Sequence, residues 1–255
     1  MPPVRLAFER VGSGPPVVLL HGFPLDRSIW RDQIAGLSDR FDVIAPDLRG
    51  HGSSPAPGGS YFMEELAEDV VELADRLGLG TFSAAGHSMG GYVLFALLRR
   101  CPERLARIGL VASRASADTE ETARARGLSA KRVIEEGTEF LADQMAVRAL
   151  HPDPDPALTD QVRAIVRRTP PAGAVGALRG MAARPDSTPL LGSVRAPALV
   201  LAGGRDQIVP LGESEAMARV IPNAKLVVVK DAGHLPSLER PAETLAALRG
   251  WLGAG

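Results

Sequence analysis

Short, near-continuous apolar runs constrain the architecture open to this chain. They fall at residues 17–20, 43–45, 82–85, 108–111, 198–202 and 226–229. Runs without polar alternation are the pattern of strands covered on both faces. Helix-period stretches stand between them, among them residues 63–77 and 92–99. Alternating β and α elements predict an α/β fold with a mostly parallel central sheet, right-handed crossovers and helices on both faces. Residues 4–11, ahead of the Gly12-Ser13-Gly14 turn, are expected to add an antiparallel edge strand.

The alternation breaks between residues 116 and 187. This stretch carries helical patterns at 119–127, 130–150, 157–168 and 172–183, separated by Pro/Asp loops and by no strand. The expected organisation is a sheet-bearing core of residues 1–115 and 188–255, with a helical lid of residues 116–187 inserted after the sixth strand. Such a lid would lie over the carboxyl edge of the sheet, where ligands bind in open α/β sheets.

Composition removes several alternatives. Formal net charge is −1 and aromatic residues make up 4%, so neither a basic stripe nor a base-stacking platform for nucleic acid is expected. The single cysteine, Cys101, permits no internal disulfide. The opening Met1-Pro2-Pro3-Val4-Arg5 lacks a charged segment followed by an apolar core, and no apolar run approaches a membrane span. The expectation is a soluble cytoplasmic protein, a monomer or homodimer, that acts on a small molecule with no nucleic-acid or membrane partner. No Cys/His cluster has zinc spacing and no Gly-rich phosphate loop is present, so no metal or cofactor is expected. Asp153 and Asp155 beside His151 read as a solvated loop, because prolines crowd the stretch and no turn glycine accompanies them.

The chemistry concentrates at Gly86-His87-Ser88-Met89-Gly90-Gly91. A strand-like run leads in and an apolar helix-spaced run leads out. Strand, Gly-x-Ser-x-Gly, helix describes a sharp turn that lifts one serine above a sheet edge, at a helix start that favours developing negative charge. A serine nucleophile needs a base, usually histidine, held in turn by a carboxylate. For a nucleophile on such a turn the chain order is serine, acid, histidine. Of the five histidines, only His151 and His234 follow Ser88. His151 lies in a Pro/Asp loop with no rigid element to aim it, whereas His234 follows the strand at 226–229. The acid must lie between Ser88 and His234 at a strand end. The loop Ala112-Ser113-Arg114-Ala115 has no carboxylate, and Asp206 follows the strand at 198–202. Asp231 shares the loop of His234 and is set aside. Two backbone N–H donors would hold an oxyanion, that of Met89 and that of Phe23 in His21-Gly22-Phe23-Pro24. His21 is expected to brace this loop, and His87 to be structural or to wall the site. Asp47 and Arg49 are expected to pair or to cap their loop.

These pieces, with Asp47-Leu48-Arg49-Gly50-His51-Gly52-Ser53-Ser54, Gly203-Gly204-Arg205-Asp206-Gln207-Ile208-Val209-Pro210 and Ala232-Gly233-His234, resemble the α/β-hydrolase superfamily over essentially the whole chain. The resemblance implies Ser88 as nucleophile, Asp206 as acid, His234 as base and Phe23 with Met89 as the oxyanion pair. Within the superfamily the chain is similar to the small lid-bearing group of carboxylesterases, 3-oxoadipate enol-lactonases, meta-cleavage-product hydrolases and cofactor-free haloperoxidases. Haloalkane dehalogenases and epoxide hydrolases of this fold use aspartate as nucleophile, and serine at position 88 argues against both. The activity this implies is cleavage of small or medium carboxylic esters through an acyl-enzyme. The alternatives are an enol-lactone or carbon–carbon bond hydrolase of aromatic degradation, and a hydrolase-fold protein that only binds ligand. Phe140, Met145 and Met181 are the lid positions expected to face a pocket or pack the lid helices, and Arg179 to anchor a carboxylate or form a salt bridge.

Overall fold

A computed structural model describes residues 2–253; the first residue and last two of the expected core ranges lie outside it. The elements run β1 (Phe8–Val11), β2 (Pro16–Leu20), α1 (Arg31–Leu37), β3 (Asp42–Pro46), α2 (Met63–Arg76), β4 (Phe82–His87), α3 (Met89–Arg100) and β5 (Leu105–Val111). Then come α4 (Glu120–Glu136), α5 (Glu139–Arg148), α6 (Pro156–Arg167) and α7 (Pro171–Ala182). The chain returns to the sheet with β6 (Ala198–Gly203), α8 (Leu211–Val220), β7 (Ala224–Val229), α9 (Pro236–Glu239) and α10 (Pro241–Leu252).

The strands form one seven-stranded sheet in the order β1-β3-β2-β4-β5-β6-β7. Among the described residues only β1 is antiparallel, pairing with β3. β2, β4 and β6 bury nearly every residue, as their unbroken apolar runs require. Helices cover both faces, with α1 packed on α10 and α2 on α3. On α2 the buried residues Met63, Leu66, Ala67, Val70, Leu73 and Ala74 recur at helical spacing, so one stripe faces the core.

The insertion follows the fifth strand in chain order, one earlier than expected. The edge strand β1 starts only at Phe8 rather than at residue 4, because Val4 and Ala7 spend their N–H groups on side chains rather than on a ladder. Val4 N–H donates to Asp69 Oδ1 at 2.7 Å and Ala7 N–H to Ser54 Oγ at 2.9 Å. Inside the insertion, α4 packs on α7 and α5 on α6. The expected break after Gly127 is absent: α4 runs through it and ends at Gly137, whose φ of 81° is the left-handed geometry glycine supplies. A Cβ at Gly127 would meet nothing within 4 Å, so that glycine sits on an open helix face rather than at a stop.

The strand order reverses between β2 and β4, whose neighbours lead to opposite edges of the sheet. The crevice at such a switch point, outside the carboxyl ends of the strands, is where this architecture places ligands. Phe23 follows β2 and Ser88 follows β4.

Candidate active site

Ser88 occupies the turn between β4 and α3 with φ 50° and ψ −111°, a conformation costly for a residue with a side chain. Packing enforces it. A Cβ on Gly86 would collide with the carbonyl of Gly90, and one on Gly90 would lie 2.5 Å from the Leu20 carbonyl oxygen and 2.8 Å from that of His21. Only glycine at both positions lets helix and strand approach this closely. Ser88 N–H donates to the Val111 carbonyl at 2.8 Å, and Ser113 Oγ donates to the Ser88 carbonyl at 2.9 Å. The turn is thus tied to β5 and to the loop beyond it.

Asp206 lies after β6 and His234 after β7, as their places in the chain require. His234 Nδ1 and Asp206 Oδ2 are 2.8 Å apart, with both side chains 2% exposed. Asp206 Oδ1 accepts the N–H groups of Ile208 at 2.7 Å and Val209 at 2.9 Å. Burial pushes the Asp206 carboxyl up, but the charge and hydrogen bond of His234 and these two N–H groups outweigh it. The carboxyl is held below its ordinary range. An ionised carboxylate only accepts, so Nδ1 carries the proton between the two side chains and Nε2 is the ring nitrogen turned away from Asp206.

Ser88 and His234 line one cavity of about 320 Å³, together with Phe23 from the loop after β2. Met89 is not among its lining residues. It opens α3 directly after Ser88, so its N–H has no intrahelical acceptor, and its side chain is fully buried. The far wall comes from the insertion, including Leu141, Met145, Leu178 and Met181. Phe140 is not part of that wall; the Arg132 guanidinium lies 4.1 Å from its ring centroid. Arg179 is exposed and away from the cavity. The cationic lining residues are instead Arg114, Arg126 and Arg148.

Three histidines surround the site as neutral supports. His21 accepts the Leu48 N–H on Nε2 at 2.8 Å, so its Nδ1 carries the proton and donates to the Gly22 carbonyl at 2.9 Å. Burial lowers its pKa to about 4. His87 Nε2 donates to the His234 carbonyl at 2.7 Å, and burial lowers its pKa to about 3. His51 is likewise buried and lowered to about 3. His151 stays local, its Nδ1 accepting the Asp153 N–H at 3.1 Å. Asp155 caps α6 by accepting the Ala157 N–H at 2.9 Å. Among the described residues no group of acidic, histidine or cysteine side chains is arranged to hold a metal.

Asp47 and Arg49 do not pair with each other. Asp47 pairs with Arg27 and accepts the N–H groups of Arg27 and Ser53. Arg49 turns inward to Asp69, donating from Nε at 2.8 Å and Nη2 at 2.7 Å. Glu239 escaped the sequence reading. Its Oε1 accepts the N–H groups of Gly233 at 2.9 Å and Leu235 at 3.1 Å, on either side of His234, and its Oε2 accepts that of His151 at 2.6 Å. His234 N–H itself donates to the Ala149 carbonyl at 2.8 Å, so the loop is stitched to the end of α5. The loop after β2 is held similarly, by Thr169 Oγ1 donating to the Pro24 carbonyl at 2.9 Å and by the Arg168–Asp26 ion pair at 2.7 Å.

Residues 15–241 match the family model described as alpha/beta hydrolase fold. The chain belongs to that family. This hydrolase is similar to a thermophilic esterase from Thermogutta terrifontis, at 45% identity and a TM-score of 0.95 over 97% of this chain and 93% of the other. It is similar to an enol-lactonase from Burkholderia xenovorans LB400, at 30% identity and a TM-score of 0.91 over 97% and 96%. It is also similar to 3-oxoadipate enol-lactonase 2 of Acinetobacter baylyi, at 30% identity over 93% of this chain and 89% of the relative. Among the described residues no helix of the hydrolase is long and apolar enough to cross a membrane.

Proposed function

We propose that this hydrolase cleaves carboxylic esters of small or medium substrates through an acyl-enzyme on Ser88. The carrying observation is the buried 2.8 Å Asp206–His234 contact at the edge of a cavity that His234 and Ser88 both line. Ser88 Oγ attacks the carbonyl carbon while His234 Nε2 takes its proton, and Asp206 holds the resulting imidazolium. The N–H groups of Phe23 and Met89 receive the oxyanion. His234 returns the proton to the departing alkoxide, which leaves as the alcohol. Water then attacks the acyl carbon, gives its proton to His234, and the acid departs as Ser88 is reprotonated. Similarity to an esterase and to enol-lactonases supports this substrate range, since a lactone is an internal ester.

The test is hydrolysis of p-nitrophenyl acetate and butyrate by wild type and Ser88→Ala, with fluorophosphonate labelling of each. Wild type is expected to turn over and to label. Ser88→Ala is expected to lose about a million-fold in kcat, as loss of a triad serine does, and not to label. Ester hydrolysis near the wild-type rate in Ser88→Ala refutes the mechanism. Absence of labelling in wild type favours a protein that only binds ligand.

A further inference from the structure

The wall facing Ser88 carries positive charge that nothing in the cavity neutralises. Arg114 comes from the loop after β5, Arg126 from α4 and Arg148 from the end of α5, and no aspartate or glutamate lines the cavity with them. Behind the wall a single fully buried carboxylate, Asp118, serves three guanidiniums. Arg114 reaches it at 2.6 Å and Arg184 at 2.7 Å, and Arg126 donates to it as well. Glu213, the other carboxylate that acts on Arg114, accepts a hydrogen bond from Ser116 Oγ. Arg114, Arg126 and Arg184 thus share Asp118, with Glu213 acting on Arg114 as well, and Arg148 adds a further guanidinium to the cavity lining.

Hydrogen-bonding capacity is also unspent. Nε of Arg114 and Nε of Arg184 are buried without a partner among the described residues. Arg184 lies against the ring of Tyr92, a cavity residue, with its guanidinium carbon 4.1 Å from the ring centroid. Arg148 is exposed and forms no ion pair among the described residues, although Asp and Glu partners satisfy most arginines of this chain. A guanidinium on a partly apolar wall, short of acceptors, is a receptor for a planar carboxylate.

We infer that the cavity takes an ester or lactone that bears a free carboxylate, which Arg114, Arg126 and Arg148 receive while Ser88 attacks the scissile carbonyl. The apolar residues Leu141, Met145, Leu178 and Met181 then cover the methylenes between the two groups. This assignment rests on the serine-hydrolase reading of the same site.

The experiment compares kcat/KM for monoethyl succinate, glutarate and adipate with that for neutral ethyl esters of matched length. Wild type is expected to favour at least one monoethyl ester by about tenfold or more, the worth of a charge-assisted hydrogen bond. Added salt is expected to shrink that ratio, because the Arg148 end is exposed. Arg148→Met is expected to lower the ratio about fivefold and Arg148→Lys to retain most of it, since the charge survives without the fork. Arg148 is exposed and its side chain has no hydrogen bond or ion pair among the described residues, so the variant removes no polar contact that holds α5, and unchanged urea unfolding is expected to accompany it. Equal or faster hydrolysis of the neutral esters by wild type overturns the inference, as does a ratio that Arg148→Met leaves unmoved. If p-nitrophenyl acetate is hydrolysed and Ser88→Ala abolishes it, such a result sinks only the anionic substrate. If Ser88→Ala keeps p-nitrophenyl acetate activity, the underlying reading fails first.

Discussion

Glu239 should control both the stability of the hydrolase and the aim of His234. Its carboxylate accepts three backbone N–H groups, two in the His234 loop and one at His151. Gly233 and Leu235 are buried, so in Glu239→Ala their N–H groups lose their acceptor without gaining full hydration. Each stranded donor costs about 1–3 kcal/mol, so taking the low end for all three gives roughly 3 kcal/mol. Removing a half-buried carboxylate returns part of that, leaving a net loss on the order of 2 kcal/mol in urea unfolding. The loop that holds His234 loosens at the same time, and a displacement near 1 Å costs about a hundredfold in rate. The expected kinetic signature is a fall in kcat of about tenfold to a hundredfold with a smaller change in KM. Glu239→Gln should lie between wild type and alanine, because one oxygen still serves Gly233 and Leu235 while an amide is turned toward the His151 N–H. Burial raises the Glu239 carboxyl above its ordinary value of 4.5, its hydrogen bonds notwithstanding. The folded state therefore holds that proton more tightly than the unfolded state. The contribution is fully present below 4.5 and is lost as pH rises through the raised value. The stability gap between wild type and Glu239→Ala should accordingly narrow as pH rises from mildly acid toward neutral. A kcat within twofold of wild type, with stability changed by less than about 0.5 kcal/mol, would refute the reasoning.

Two further outcomes follow from the buried polar groups. Arg49 and Asp69 have fully buried side chains, so Asp69→Leu should cost about 3–5 kcal/mol in urea unfolding by stranding the guanidinium. Arg49→Met/Asp69→Leu should cost less than either single change, and strictly additive losses would contradict this. Burial lowers the pKa of His21, His51 and His87 to about 4, 3 and 3, so the folded state binds fewer protons than the unfolded state below pH 6.5. Their contribution is present above 6.5 and falls as pH drops toward those values, and denaturant midpoints that stay flat from pH 6.5 to 5 would exclude it.

The sheet was legible because unbroken apolar runs have few alternatives, and the elements fall on them with shifts of one to three residues. The positions of Ser88, Asp206 and His234 were legible because each sits at the carboxyl end of a strand in a fixed chain order. What escaped depends on contacts between segments distant in sequence. Glu239 reads as an ordinary acidic residue on a short helix until the His234 loop and His151 fold over it. Arg49 lies two residues from Asp47, and only the position of α2 shows that its partner is Asp69. The sequence pattern breaks a helix after Gly127 and runs the next one through Gly137, and the backbone does the reverse at both. The charge on the cavity wall was invisible because it comes from a loop and two helices that meet only in three dimensions.

The stitch between the insertion and the His234 loop bears on how specificity can be re-engineered in this scaffold. Ala149 accepts the His234 N–H, His151 donates to Glu239, and a Cβ at Gly233 would lie 2.5 Å from the Leu150 backbone. The stretch from Ala149 to His151 thus belongs to the frame that holds His234 although it is encoded within the insertion. A chimera that exchanges helices α4, α6 and α7 for those of another hydrolase leaves this stitch intact. One that exchanges the whole insertion as a cassette must import a tripeptide fitted to Gly233 and Glu239, or it will carry a new pocket beside a displaced His234.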